Sequence, residues 1–129
     1  MPTASPFDYA IVRVVPCVER EEFINAGVIL FCRQKRFLGA RLHLDRRRLA
    51  VLAPQLNIEQ IEVYLNLIPR LCADEVTGPL GELSQAERFH WLVNPRSTTI
   101  QVSPVHTGLC TDPAAMLEHL LQTMVVTPQ

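Results

Sequence analysis

The sequence predicts a single α+β domain, an antiparallel β-sheet packed with helices, and three observations point there. Residues 9–45 hold three short runs rich in Val, Ile, Leu and Phe, separated by polar segments. The later chain carries helical stripes behind capping residues. One more alternating run, residues 98–102, returns to strand.

Taken in order, residues 1–8 read as a flexible tail, with small polar residues and two prolines. The first strand covers residues 9–15 and ends at Pro16, which has no N–H for a ladder. Residues 17–24, with Glu19, Arg20, Glu21 and Glu22, read as a solvated loop or a single helical turn. Gly27 opens the second strand, residues 27–32, at a bulge or a close backbone approach. The turn at 33–36 is hairpin-sized, though Gln34-Lys35 lacks a favoured Gly or Asn. In the third strand, residues 37–44, Leu38, Ala40, Leu42 and Leu44 face one way. Phe37, Gly39, Arg41 and His43 face the other.

Asp45 caps a short helix over 46–52, with Leu49 and Leu52 inward and Pro54 closing it. Asn57 and Gln60 form a capping box for a longer helix whose stripe is Ile58, Ile61, Leu65, Ile68 and Cys72. Pro69 predicts a kink or an end near Ile68. Residues 74–83 are the loosest stretch, with Gly78-Pro79 and Gly81 as turn signals. Ser84 and Glu87 open a helix that buries Phe89 and Leu92, and Asn94-Pro95 ends it. In the fourth strand Ile100 and Val102 point in, and Thr99, Gln101 and Ser103 point out. Asp112-Pro113 starts a last helix with Leu117, Leu120, Leu121 and Met124 on its apolar face. The result is one antiparallel sheet, an N-terminal three-stranded meander plus a later strand, with helices on a face. The domain spans 9–126 and residues 127–129 form a C-terminal tail.

Composition narrows the function classes. At 48% hydrophobic, 19% charged and formal charge -1, the chain presents no positive field for phosphates, so nucleic acid is not an expected partner. Arg46, Arg47 and Arg48 are locally basic, but no aromatic residues interleave them for base stacking, and a solvated helix face accounts for them. No apolar run approaches the roughly 20 residues of a membrane span, and the N-terminus lacks a signal-peptide pattern. Cys17, Cys32, Cys72 and Cys110 are scattered, as in a reducing compartment, so a cytoplasmic location is expected.

No metal or cofactor motif is present: there is no CxxC, no HExxH, no GxxxxGK[ST] and no GxGxxG, so none is expected. The densest chemistry lies in residues 87–110. There Arg96 is a candidate anion ligand, Thr107 and the Gly108 backbone candidate donors, and His106 a candidate proton-transfer group. Arg13, Arg41 and His43, on the polar sides of strands one and three, could converge on the same space. Cys110, near His106 in sequence and two residues before a helix cap, is the thiol to weigh as a nucleophile. The plainer account has these arginines paired with carboxylates, His106 bonded to backbone and all four thiols inert.

The segments YAIVRVVP (9–16), EREEFINAGVILFC (19–32), RFLGARLHLD (36–45), GPLGEL (78–83) and residues 87–110 together resemble the DUF3037 family of small bacterial proteins. The resemblance covers about residues 9–126. It includes the entry to strand two at 22–25, Gly27, Arg96 and the segment 103–108. The family carries no assigned function, so the resemblance implies no catalytic role for any residue. Such proteins are sometimes encoded beside HipA-like kinase-domain proteins. That implies an accessory subunit of a kinase-associated or toxin–antitoxin-like two-gene module. Two functions therefore stand: a protein-interaction subunit with a protein partner or a second copy of itself, or a protein or enzyme handling a small anion through Arg96 and His106.

Overall fold

The computed structural model describes residues 3–73, 78–95 and 98–126. Among them the order is β1 (Ser5–Cys17), β2 (Glu22–Cys32), β3 (Phe37–Leu42), α1 (Arg46–Leu52), α2 (Ile58–Cys72), α3 (Gln85–Leu92), β4 (Ile100–Val102), β5 (His106–Cys110) and α4 (Pro113–Met124). Short 3-10 turns cover Val18–Arg20 and Pro79–Glu82. All pairings are antiparallel, in the order β3-β2-β1-β4, and β5 also pairs with β1. The order and pairing of the N-terminal meander are as the sequence predicts, with Cys32 opposite Phe37 and Gly27 opposite Leu42, but β2 starts at Glu22, inside the expected loop, because Glu22, Ile24 and Asn25 pair with β1.

Two differences concern β1 and its outer neighbour. Residues 5–8, read from sequence as tail, are strand, and so is 106–110, read as loop around Gly108. The two make each other: Ser5 lies opposite Cys110, Phe7 opposite Gly108 and Tyr9 opposite His106. Neither run has strong strand propensity, and cross-strand pairing supplies what propensity does not. Pro16 also stays within β1, beside a register irregularity between Val14 and Cys17.

β4 and β5 run along β1 as one edge strand interrupted at 103–105. Pro104 has no N–H, and Ser103 mends the gap. Its N–H donates to the Ile11 carbonyl at 2.8 Å, and its Oγ accepts from the Ile11 N–H at 2.8 Å. Ser103 is buried, not outward as its alternation predicts. Ser103→Ala leaves the Ile11 N–H without its acceptor. It is expected to cost about 1–3 kcal/mol, read by urea unfolding and by faster hydrogen exchange at Ile11.

The sheet has helices on both faces, where the sequence suggested one. α1, α2 and α3 cover one side, burying Leu49, Ile61, Leu65, Ile68, Phe89 and Leu92 against Val12, Val14, Ile29, Phe31 and Leu38. α4 covers the other, with Leu117, Leu120 and Leu121 against Phe7, Ile11, Val28, Leu30 and Cys32. β2 therefore feeds both cores by alternation, and a bulge decides which of its residues meet which core. Register slips at Ala26, so Ile24 and Ala26 share a face with Ile29 and Phe31, while Val28, Leu30 and Cys32 face α4. β3 alternates as predicted: Leu38, Ala40 and Leu42 join the first core, and Phe37 and Arg41 turn to α4.

The helix caps are where the sequence puts them: Asp45, Asn57, Ser84 and Asp112 each accept from a backbone N–H in the first turn, although at Asn57 only this half of the expected box with Gln60 forms. Ser84 and Glu87 complete the reciprocal capping box, and hydrogen bonding to the Glu87 carboxylate, first from the Ser84 backbone N–H and then from its hydroxyl, holds that carboxyl below its ordinary pKa. α2 does not stop at Ile68. It passes through Pro69 to Cys72, because the proline lies in the last turn and buried Leu71 and Cys72 anchor the helix end beyond it. Leu52, expected inward, is 37% exposed. Of the loose stretch, 74–77 falls outside the described residues. No helix among the described residues is long and apolar enough to cross a membrane.

Candidate interaction groove

The sequence-predicted anion ligands are distributed across the sheet rather than gathered. Arg13, on β1, lays its guanidinium over the Phe23 ring at 4.1 Å from the centroid. Arg41, on β3, pairs with Glu118 of α4 at 2.5 Å. His43 is exposed just past β3, its backbone N–H bonded to the Ala26 carbonyl. His106 is on β5 at the opposite side of the sheet, its ring 5.3 Å from Tyr9. With β2 and β1 between them, β3 and β5 are about 14 Å apart at the usual strand spacing. Arg96 lies outside the described residues.

Thr107 is exposed on β5, and Gly108 is packed under the Phe7 ring, where a Cβ would come within 2.8 Å of Cζ. Gly108 thus serves the fit of β5 on β1. Cys110 and His106 share a strand four residues apart, about 13 Å along an extended backbone, too far for thiol and base to meet. Cys110 is buried beside Cys32, and burial first, then the neighbouring thiol, push its pKa up. Register puts Cys32 and Cys110 on strands either side of β1, about 9.5 Å apart at the usual spacing and beyond a disulfide's Cα span. Burial also pushes Cys72 up to about 12, against the opposing field of the Arg88 guanidinium. Burial thus keeps Cys72 and Cys110 in the unreactive thiol form. Among the described residues no three His, Cys, Asp or Glu side chains converge as a metal site would require.

A strongly apolar concave surface lies elsewhere. α2 carries two adjacent apolar stripes. One, with Ile61, Leu65, Ile68 and Cys72, enters the core. The second, Tyr64, Leu67 and Leu71, borders a groove of about 440 Å³. The opposite wall is Trp91 and Leu92 of α3, and the floor is β4 with Thr98 and Thr99. Among the described residues, no Asp, Glu, Lys or Arg lines it. Tyr64 is 52% exposed, Leu67 43% and Trp91 40%, although the residue types are those proteins bury.

The groove arises where the helix layer stops. α2 and α3 pack over β2 and β3, leaving β4 uncovered on its outer side. Thr99 and Ser103 direct backbone bonds to β1, through Val15 N–H to Thr99 O and Ser103 N–H to Ile11 O. By antiparallel alternation, the backbone groups of Ile100 and Val102 face outward. The Thr98 hydroxyl donates to the Ile100 carbonyl at 2.6 Å, covering one of them. The groove thus combines apolar walls with an open strand edge.

The family model described as "Protein of unknown function (DUF3037)" matches residues 9–125. The chain belongs to the DUF3037 family. Comparison with curated proteins and with solved structures returns no match. The match runs from within β1 to just past α4, so in this DUF3037 chain the groove and the first core lie inside the family region, and the second core does apart from Phe7 and Val126. Sequence reasoning missed the groove because it followed only the α2 stripe nearest a strict helical period. The signal was Tyr64, Leu67 and Leu71 beside that stripe, an apolar arc wider than one contact face needs.

Proposed function

We propose that this DUF3037 protein is a cytoplasmic protein-interaction subunit of a bacterial two-gene module, and that it holds an apolar segment of its partner in the α2–α3–β4 groove. The observation that carries this reading is the exposure of Tyr64, Leu67 and Trp91 around an apolar groove beside an open strand edge. Aromatic side chains in apolar pockets are the residue types that dominate binding energies at interfaces. An open edge offers main-chain hydrogen bonds to an extended segment, with alternate side chains reaching the groove floor. The partner that the family resemblance suggests is a HipA-like kinase-domain protein.

The test is co-expression with the adjacent gene product, then native mass spectrometry and titration at micromolar concentration. Trp91 is the chain's only tryptophan, so its emission reports on the groove directly. The expected result is a heteromeric complex, a blue shift of Trp91 on binding, and a loss of about 30-fold or more in affinity for Leu67→Glu. Absence of a complex, or a complex indifferent to Leu67→Glu and silent at Trp91, rejects the reading.

A further inference from the structure

A second surface, sharing no lining residue with the groove, has a charge pattern that selects its own partner. Where the 3-10 turn leads into β2, Glu21 takes the left-handed conformation, φ 55°. Beside it lies a shallow depression of about 680 Å³, between Glu21, Glu22, Phe23 and Ile24 on one wall and Arg47, Arg48, Val51 and Leu52 of α1 on the other. Val51 is 85% exposed, with Phe23 and Leu52 exposed beside it. One wall is acidic, the other basic, and apolar side chains lie between.

The neighbouring charges are already engaged. Glu22 pairs with Arg20, and Arg46 turns away to Glu59 and Glu62 of α2. Glu21 and Arg47 have no ion pair among the described residues. Nucleic acid or an anionic membrane would meet the acidic wall, and a strongly acidic or basic protein would be repelled by one wall or the other. A two-fold axis through the depression exchanges the walls. It sets each acidic wall against the basic wall of the other copy and closes the apolar centre of both at once. Phe23 is also held in place beforehand, since the Arg13 guanidinium stacks on its ring. That lowers the ordering cost of association.

We propose that this face is the interface of a two-fold homodimer, with Phe23, Val51 and Leu52 at its centre and Glu21 of each copy against the partner's Arg47. The dimer does not depend on the groove, and a groove variant such as Leu67→Glu leaves its mass unchanged.

Sedimentation equilibrium on the full chain tests it. The wild type is expected at twice the 14.6 kDa chain mass at high micromolar concentration. Val51→Asp, at a position too exposed to disturb folding, shifts it to monomer. Glu21→Arg and Arg47→Glu each place like charges together and weaken self-association by about tenfold or more. An equimolar mixture of those two variants forms a heterodimer, because both charge contacts are then opposite in sign, and the double variant Glu21→Arg/Arg47→Glu self-associates again. Circular dichroism confirms that each variant is folded. A monomeric wild type overturns the proposal. So does a dimer that tolerates Val51→Asp, or charge variants that fail to recover on mixing.

Discussion

Phe89→Ala is expected to lower the unfolding free energy by about 3–5 kcal/mol, a third or more of the stability of an ordinary domain of this size. Phe89 is 2% exposed at the middle of α3, and its ring stacks on Phe31 of β2 with centroids 5.4 Å apart. α3 has only eight residues, too few to be helical alone, so the capping box and this side chain hold it. Removing the ring takes away its transfer free energy, its aromatic contact and the packing of Ile29 and Phe31 below it. In urea, with a slope near 2 kcal/mol/M, the midpoint falls by about 2 M.

The contrast with Trp91, two residues on, gives the measurement a second use. Trp91 is 40% exposed and borders the groove, so Trp91→Ala should cost much less stability than Phe89→Ala. Equal losses would make Trp91 a core residue and remove one wall from the interaction surface. A large loss for Phe89 beside a small one for Trp91 separates the residue that attaches α3 from the residue α3 displays.

How much of this was legible in the sequence depends on where the information is stored. The caps at Asp45, Asn57, Ser84 and Asp112 are local, and each sequence pattern has its hydrogen bond. The alternation of β3 and the main stripe of α2 are periodic, and both face their cores as read. β5 was not legible, since the lone β-branched Thr107 sits between His106 and Gly108 and the run is extended because β1 pairs with it. The inward turn of Ser103 was hidden for the same reason: its partner Ile11 is 92 residues away. Both helix layers were visible as helices, but which residues of β2 meet which layer depends on the Ala26 bulge, which changes the side-chain parity of the strand. The anion-site residues were chosen by type, and register separates Arg41 from His106 by the width of the sheet. The groove lies at the boundary of a layer, and single-element periodicity does not describe where a layer ends.

Gly27→Ala is the second large effect, and it bears on that bulge. Gly27 comes directly after Ala26 at the register slip and lies opposite Leu42 of β3. A Cβ there would come within 2.5 Å of Leu42 Cδ2 and 2.7 Å of the Arg41 carbonyl oxygen. The leucine methyl can rotate away. The carbonyl oxygen belongs to β3 itself, and moving it disturbs pairing on both sides of the slip. The expected cost is about 2–3 kcal/mol, from overpacking and displaced backbone. Leu42→Ala separates the two contributions. It removes the methyl and leaves the oxygen, so Gly27→Ala on a Leu42→Ala background should still lose most of that free energy. If the alanine costs nothing on that background, the conflict was with the side chain alone, and glycine is not required there by the backbone of β3. Persistence of the loss means that the residue at position 27 of β2 is set by how closely β3 crosses it. The parity change that keeps Ile24 and Ala26 on the same face as Ile29 and Phe31 then depends on the absence of a single carbon atom.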